Sequence, residues 1–240
     1  MLEANFRDKN DINRREIKSY VIRSSKMAEK YKKALDEYGE KYLINGANLK
    51  SIFDEPPFSE SSIYENNVFE NSYSKRREII LEIGSGQGAT LISAAKEKSE
   101  TLFLGSDVYM EGIAHTIYTA QKNDLQNVKL YNGDANNILK AAPDGFFNEI
   151  WCFFPDPWHK RKHVKRRLIQ KEFLDLAFRK LACKKFSSSL RVATDNADYK
   201  NQLLKLGFLQ APRFAFRPIT TFEAKAIKAN REVFDLVYNS

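Results

Sequence analysis

Residues Leu81–Ala89, Leu-Glu-Ile-Gly-Ser-Gly-Gln-Gly-Ala, decide the fold of this 240-residue chain. They end an apolar strand read over Glu78–Ile83 and break onto Gly84, Gly86 and Gly88. Such glycines let the backbone turn tightly and let a ligand approach the main chain. A helix pattern, Gly88–Lys98, follows at once. Downstream, strands are expected at Leu102–Asp107, Val128–Gly133, Glu149–Phe154 and Leu190–Thr194. Helical periodicity fills the gaps at Met110–Lys122, Asn136–Ala142 and Lys165–Cys183, with a further helix near Asp198–Leu206. This alternation implies an α/β domain with a parallel sheet covered on both faces, its ligands outside the strand carboxyl ends. Val233–Tyr238 reads as a last strand.

Upstream, the chain divides into a basic arm over 1–23, an N-terminal helix and polar linker over 24–77, and the main domain over 78–240. The arm is either a floppy terminus or a segment that orders on RNA. Ser24 or Ser25 can cap a helix from about Lys26 to Tyr38. The linker, Ser51–Arg77, is rich in Ser, Asn and Glu and holds Pro56-Pro57.

The 42% hydrophobic and 29% charged residues are those of a soluble globular protein. No apolar run approaches the ~20 residues needed to span a bilayer. The first residues lack the apolar core of a secretory signal, so a cytoplasmic protein is expected. Cys152 and Cys183 read as reduced thiols. The cysteines and the three histidines, His115, His159 and His163, lack ligand spacing, so no metal site is expected.

Four consecutive strands close on an acid: Glu82 before the glycines, then Asp107, Asp134 and Asp156. Each could be an ordinary loop residue, and Asp134, before Ala135-Asn136, a helix cap. Together they form a carboxylate-rich rim that would repel the pyrophosphate of a nicotinamide dinucleotide. The same rim suits S-adenosylmethionine, which has no phosphate and carries a positive sulfur. Glu82 can meet the amino-acid end of that ligand, Asp107 the ribose hydroxyls and Asp134 the adenine amino group.

The fourth strand opens the run Trp151–Arg167, WCFFPDPWHKRKHVKRR. Pro155 and Pro157 fix the backbone on either side of Asp156, which stiffens the loop and holds its one carboxylate. Lys160, Arg161, Lys162, Lys165, Arg166 and Arg167 then give six cations with no intervening acid, within a net charge of +8 and a pI near 9.3. Such a run is either a solvated face or a nucleic-acid contact; the aromatic and proline residues before it favour the second.

These pieces resemble the bacterial tRNA (guanine-N7-)-methyltransferase family. The resemblance rests on Ile17–Tyr20, Ala34–Tyr38, LEIGSGQGA at 81–89 and Phe153-Phe154-Pro155-Asp156-Pro157-Trp158-His159-Lys160 with its basic tail. Ala193-Thr194-Asp195 and Arg217-Pro218-Ile219-Thr220-Thr221-Phe222-Glu223 complete it, the latter matching the family's Thr-x-(Phe/Tyr)-Glu signature. It implies a Rossmann-like class I methyltransferase fold, with a mostly parallel sheet and an antiparallel C-terminal strand. It also implies methyl transfer from S-adenosylmethionine to guanosine N7 in the variable loop of tRNA. Glu82, Gly84, Gly86, Gly88, Asp107, Asp134 and Asp156 become cofactor-side residues, and Asp156 the catalytic one. Lys160, Asp195, Thr220, Thr221, Phe222 and Glu223 fall on the substrate side, with Asp195 and Glu223 gripping the guanine's Watson–Crick edge. Arg161, Lys162, Lys165, Arg166 and Arg167 become the tRNA contact. Where the family usually has Gly-Ile-Glu, this chain has Gly105-Ser106-Asp107, one methylene shorter.

Trp158 and Phe222 are candidates to stack on a base or to pack internally, and Phe222 reads as the packing residue. Two other enzymatic readings stand beside this one: methylation of another RNA base, and hydride transfer with a nicotinamide cofactor, which the acidic rim disfavours. A tRNA-binding protein without catalysis is the third alternative, opposed by the intact glycine loop and acids. The monomeric or homodimeric state is left open.

Overall fold

The computed structural model describes residues 18–20, 26–44, 49, 53–54, 77–182 and 188–239. A first helix, α1 (Glu29–Tyr42), precedes the sheet. The main run is β1 (Ile79–Ile83), α2 (Ala89–Glu97), β2 (Leu102–Asp107), α3 (Met110–Lys122), β3 (Val128–Asn132), α4 (Ala135–Ala141) and β4 (Glu149–Phe153). A 3₁₀ segment (Arg161–Arg166) leads into α5 (Lys171–Lys180), β5 (Ser189–Thr194), α6 (Ala197–Lys205), β6 (Leu209–Gln210), α7 (Thr221–Lys228) and β7 (Phe234–Asn239).

The strands form one sheet in the order β3-β2-β1-β4-β5-β7-β6. The first five are parallel neighbours, while β7 runs antiparallel to β5 and to β6. This is the mostly parallel, Rossmann-like sheet with an antiparallel C-terminal strand expected from the sequence. All five residues of β1 are buried, as a strand covered on both faces requires. Its side chains alternate between two cores. Ile79, Leu81 and Ile83 join Ile138, Phe173 and Tyr199 from α4, α5 and α6. Ile80 joins Leu91, Ile113 and Ile117 from α2 and α3. Helix α1 lies on the second face, where Ala34 and Tyr42 enter the core and the Tyr42 hydroxyl donates to the Leu125 carbonyl.

Three local expectations change. The helix expected over Lys165–Cys183 begins only at Lys171. A row of cations with no acid to pair at i+4 opposes the positive end of a helix dipole, whereas α5 starts with Glu172 in its first turn. Helix α1 starts at Glu29 behind Ala28, which gives no side-chain cap, and extends to Tyr42; the expected caps, Ser24 and Ser25, lie outside the described residues, as does Cys183. Helix α7 and the short β6 are additions. Among the described residues, no helix is long and apolar enough to cross a membrane.

Candidate active site

The sheet order reverses between β1 and β4, whose ends pair Ile83 with Cys152. Beyond their carboxyl ends lies the crevice where open α/β sheets hold ligands. The glycine loop rises from β1 and is stitched to β2: the Gly84 and Ser85 amides donate to the Ser106 carbonyl at 2.8 and 3.2 Å. Gly84 and Gly86 have φ of 70° and 54°, a backbone shape that side chains rarely adopt, and open space where a Cβ would stand. That space is what a ligand's approach to the main chain requires. Helix α3 braces the loop from behind. The His115 ring lies 2.9 Å (Nδ1) from the Gln87 carbonyl, a contact no motif signalled because His115 is one isolated residue in a helical run.

Two of the acids differ in what they do. Glu82 is 4% exposed, and its Oε2 meets no donor among the described residues. Burial, opposed by the Leu91 backbone amide and aided by the nearby Asp107 carboxylate, pushes its carboxyl up to about 8. The neighbouring Ser85 hydroxyl is also buried without a partner. Two orphaned polar groups beside an open glycine loop fit a cationic, hydrogen-bonding cofactor such as S-adenosylmethionine. Asp107 instead organises the loop: Oδ2 accepts from the Gly86 amide at 2.7 Å and Oδ1 from the Tyr109 amide at 2.8 Å. Burial raises its pKa, opposed by these backbone bonds. Each oxygen keeps a lone pair for a ribose hydroxyl. Asp134 caps α4, accepting the Asn136 amide at 2.9 Å.

Asp156 is exposed in the loop that leaves β4. Phe154 and Trp158, on either side of Pro155-Asp156-Pro157, have φ of 55° and 46°. Left-handed backbone at two bulky residues is strain, which persists only where the surroundings over-determine it. The restraints are visible. The Phe154 amide donates to the Ala193 carbonyl, the Trp158 indole to the Ser19 carbonyl, and the His159 ring meets the Asn196 amide group. The Arg166 guanidinium covers the Trp158 ring at 3.8 Å and donates through Nε to the Lys18 carbonyl.

Three expectations, at Arg167, Glu223 and Phe222, need correction. Arg167, expected on the RNA surface, is 3% exposed, and its Nε donates inward to the Pro157 carbonyl. Glu223, expected to grip guanine, is buried with one oxygen held by Arg213 at 3.0 Å and the other by Arg217 at 2.7 Å. Arg217 in turn pairs with Asp235, so Glu223 belongs to an internal ion network. Thr220 caps α7 by accepting the Glu223 amide. Phe222, read as a packing residue, is 56% exposed, whereas the face of Trp158 is already taken. Thr221 is exposed beside Phe222, and Asp195 is held by Arg231 at 2.8 Å. Lys160, Arg161, Lys162 and Lys165 are exposed, as a polyanion contact needs, and Arg166 is partly so.

Known proteins resemble this chain along most of its length. Residues 76–236 match a family model described as "Putative methyltransferase". A tRNA (guanine-N(7)-)-methyltransferase of Francisella philomiragia is 32% identical, with 96% of this chain and 98% of the relative covered. The enzymes of that name from Bifidobacterium longum subsp. infantis and Paraburkholderia xenovorans are 30% and 32% identical, covering 92% and 95% of this chain and 88% and 84% of their own. A glycine loop at the sheet's switch point, a proline-bracketed aspartate beside it and similarity across nearly the whole length lead to one conclusion: the chain belongs to the tRNA (guanine-N(7)-)-methyltransferase family.

Proposed function

We propose that this chain transfers a methyl group from S-adenosylmethionine to N7 of a guanine in the variable loop of tRNA. The observation that carries the reading is the rigid Pro155-Asp156-Pro157 loop at the switch point, flanked by strained Phe154 and Trp158 and followed by an exposed cationic segment. Glu82 and the backbone of 84–88 hold the cofactor, with Asp107 on its ribose and Asp134 on its adenine. The cofactor supplies a methyl group made electrophilic by a positive sulfur.

Guanine N7 presents an in-plane lone pair and has no proton to lose, so no general base is needed there. What the chain supplies is proximity, orientation and charge. Methylation leaves positive charge on the purine, and the Asp156 carboxylate stabilises it from a fixed position. Lys160, Asp195, Thr220 and Thr221 border the guanine, Phe222 offers an open ring for stacking, and Arg161, Lys162, Lys165 and Arg166 take phosphates. Replacing Asp156 by Ala should lower turnover by roughly 100- to 1,000-fold, as for other preorganised transition-state contacts, while tRNA affinity stays within about twofold. Single-turnover methylation and filter binding measure the two; an equal loss in both would make Asp156 a structural residue.

A further inference from the structure

Six cations follow the aspartate loop, and one of them points the wrong way for RNA. Arg167 is buried while the other five are wholly or partly exposed. A guanidinium taken out of water must have its N–H groups satisfied, and here the partners come from two places. Nε donates 2.8 Å to the Pro157 carbonyl, in the loop that carries Asp156. Nη1 donates 2.8 Å to Gln202, and Nη2 pairs with Asp198, both on α6. The guanidinium lies 4.8 Å from the centre of the buried Tyr199 ring, also on α6. That ring is fixed as well, its hydroxyl accepting the Ile169 amide at 3.1 Å.

The Asp156 side chain is exposed and makes no hydrogen bond among the described residues, so what fixes its place is the loop backbone that carries its Cα–Cβ bond. That backbone is constrained by two prolines and by what holds the carbonyl directly after it. Two residues further on, the His159 ring lies 3.0 Å from Asn196, the residue that caps α6. The first turns of α6 therefore hold the loop at two points, Pro157 through Arg167 and His159 through Asn196. We propose that Arg167 is a positioning residue: it ties the Pro157 carbonyl to α6 and so aims the Asp156 carboxylate at the reacting guanine, without touching RNA. The inference rests on the reading of Asp156 given above. A lysine cannot replace this fork, because one ammonium cannot reach three acceptors in the same plane.

The test is a double-mutant cycle of Arg167→Lys and Asp156→Ala, read by single-turnover methyl transfer to tRNA. Misplacing a reacting group by about 1 Å costs on the order of 100-fold, so Arg167→Lys should lower the rate by roughly 10- to 100-fold. The tRNA dissociation constant, its salt dependence and cofactor affinity should stay within about twofold of wild type, unlike the response of a phosphate contact. In the Asp156→Ala background, Arg167→Lys should cost nothing further, because groups acting as a unit are not additive. Weakened tRNA binding with a flatter salt slope and an unchanged rate would overturn the proposal in favour of an RNA contact. A loss in the Asp156→Ala background equal to that in wild type would overturn it in favour of a general folding role. If Arg167→Lys does not fold, the same cycle is run with Gln202→Ala, which removes one acceptor and leaves the cation paired. Wild-type turnover by Asp156→Ala would refute the reading of Asp156 and this proposal with it. An inactive Asp156→Ala beside a fully active Arg167→Lys would refute the positioning role alone.

Discussion

Replacing Glu82 by Gln should make the ligand-free protein more stable in alkaline solution and poorer at holding its cofactor. Buried with one oxygen unpartnered, Glu82 has its carboxyl raised from an ordinary 4.5 to about 8. Between those values the folded chain keeps a proton that the unfolded chain releases. Stability contributed by this group therefore falls as pH rises through that window, by about 1.4 kcal/mol for each pH unit. From pH 5 to pH 8 the decline amounts to about 4 kcal/mol, and Glu82→Gln, which carries no charge to bury, removes it. At roughly 2–4 °C per kcal/mol for a chain of this size, the melting temperatures should coincide near pH 5 and differ by about 8–16 °C at pH 8. Circular dichroism melts of both proteins without ligand, at pH 5, 6.5 and 8, make the comparison. A difference that does not grow with pH would refute the reasoning, since burial of a charge would not be its cause. Calorimetry on the same pair should show weaker binding of S-adenosylmethionine to Glu82→Gln; equal affinity would remove Glu82 from the cofactor site.

Replacing Lys160, Arg161, Lys165 and Arg166 together by Ala should weaken tRNA binding and lower the slope of log K against log salt by up to about 3. An unchanged slope would return the segment to a solvated surface. Phe222→Ala should raise the tRNA dissociation constant by roughly 5- to 100-fold, the range for losing one base-stacking ring, with the melting temperature unaltered; tRNA affinity equal to wild type would mean that the ring meets no base. Arg217→Leu strands Asp235 and half-strips Glu223 inside the protein, which should cost about 3–5 kcal/mol and lower the melting temperature by roughly 6–20 °C. A melt within a degree or two of wild type would show that the ion network adds nothing.

The parallel sheet was legible because β1 to β5 are short apolar runs, four ending at or next to a glycine or acid and β4 at the Pro155-Asp156-Pro157 turn, and the helices between them keep a clear period. The glycine loop was legible for the same reason: only backbone that must turn tightly at a strand's end calls for three glycines in five residues. Arg167 was not. A row of cations reads identically whether each side chain faces water or, as here, one turns inward to meet Pro157, Asp198 and Gln202. The sequence reading of Glu223 fails because its partners, Arg213 and Arg217, lie in the loop before α7, and Arg217 pairs further with Asp235 on β7, so no single element's period brings the network together. A signal for its neighbourhood did exist. Thr220-Thr221-Phe222-Glu223 has the Thr-x-x-Glu form of a helix start, and Thr220 does cap α7. That pattern also accounts for the exposure of Phe222, which sits in the first turn of a short surface helix.

Methyl transfer from labelled S-adenosylmethionine to unmodified tRNA, with the product nucleoside identified and placed by mass spectrometry, tests the central claim most directly. N7-methylguanosine in the variable loop is the expected product. A different methylated nucleoside would contradict the guanine site while leaving the cofactor site standing, and tRNA that binds but is never methylated would contradict catalysis itself.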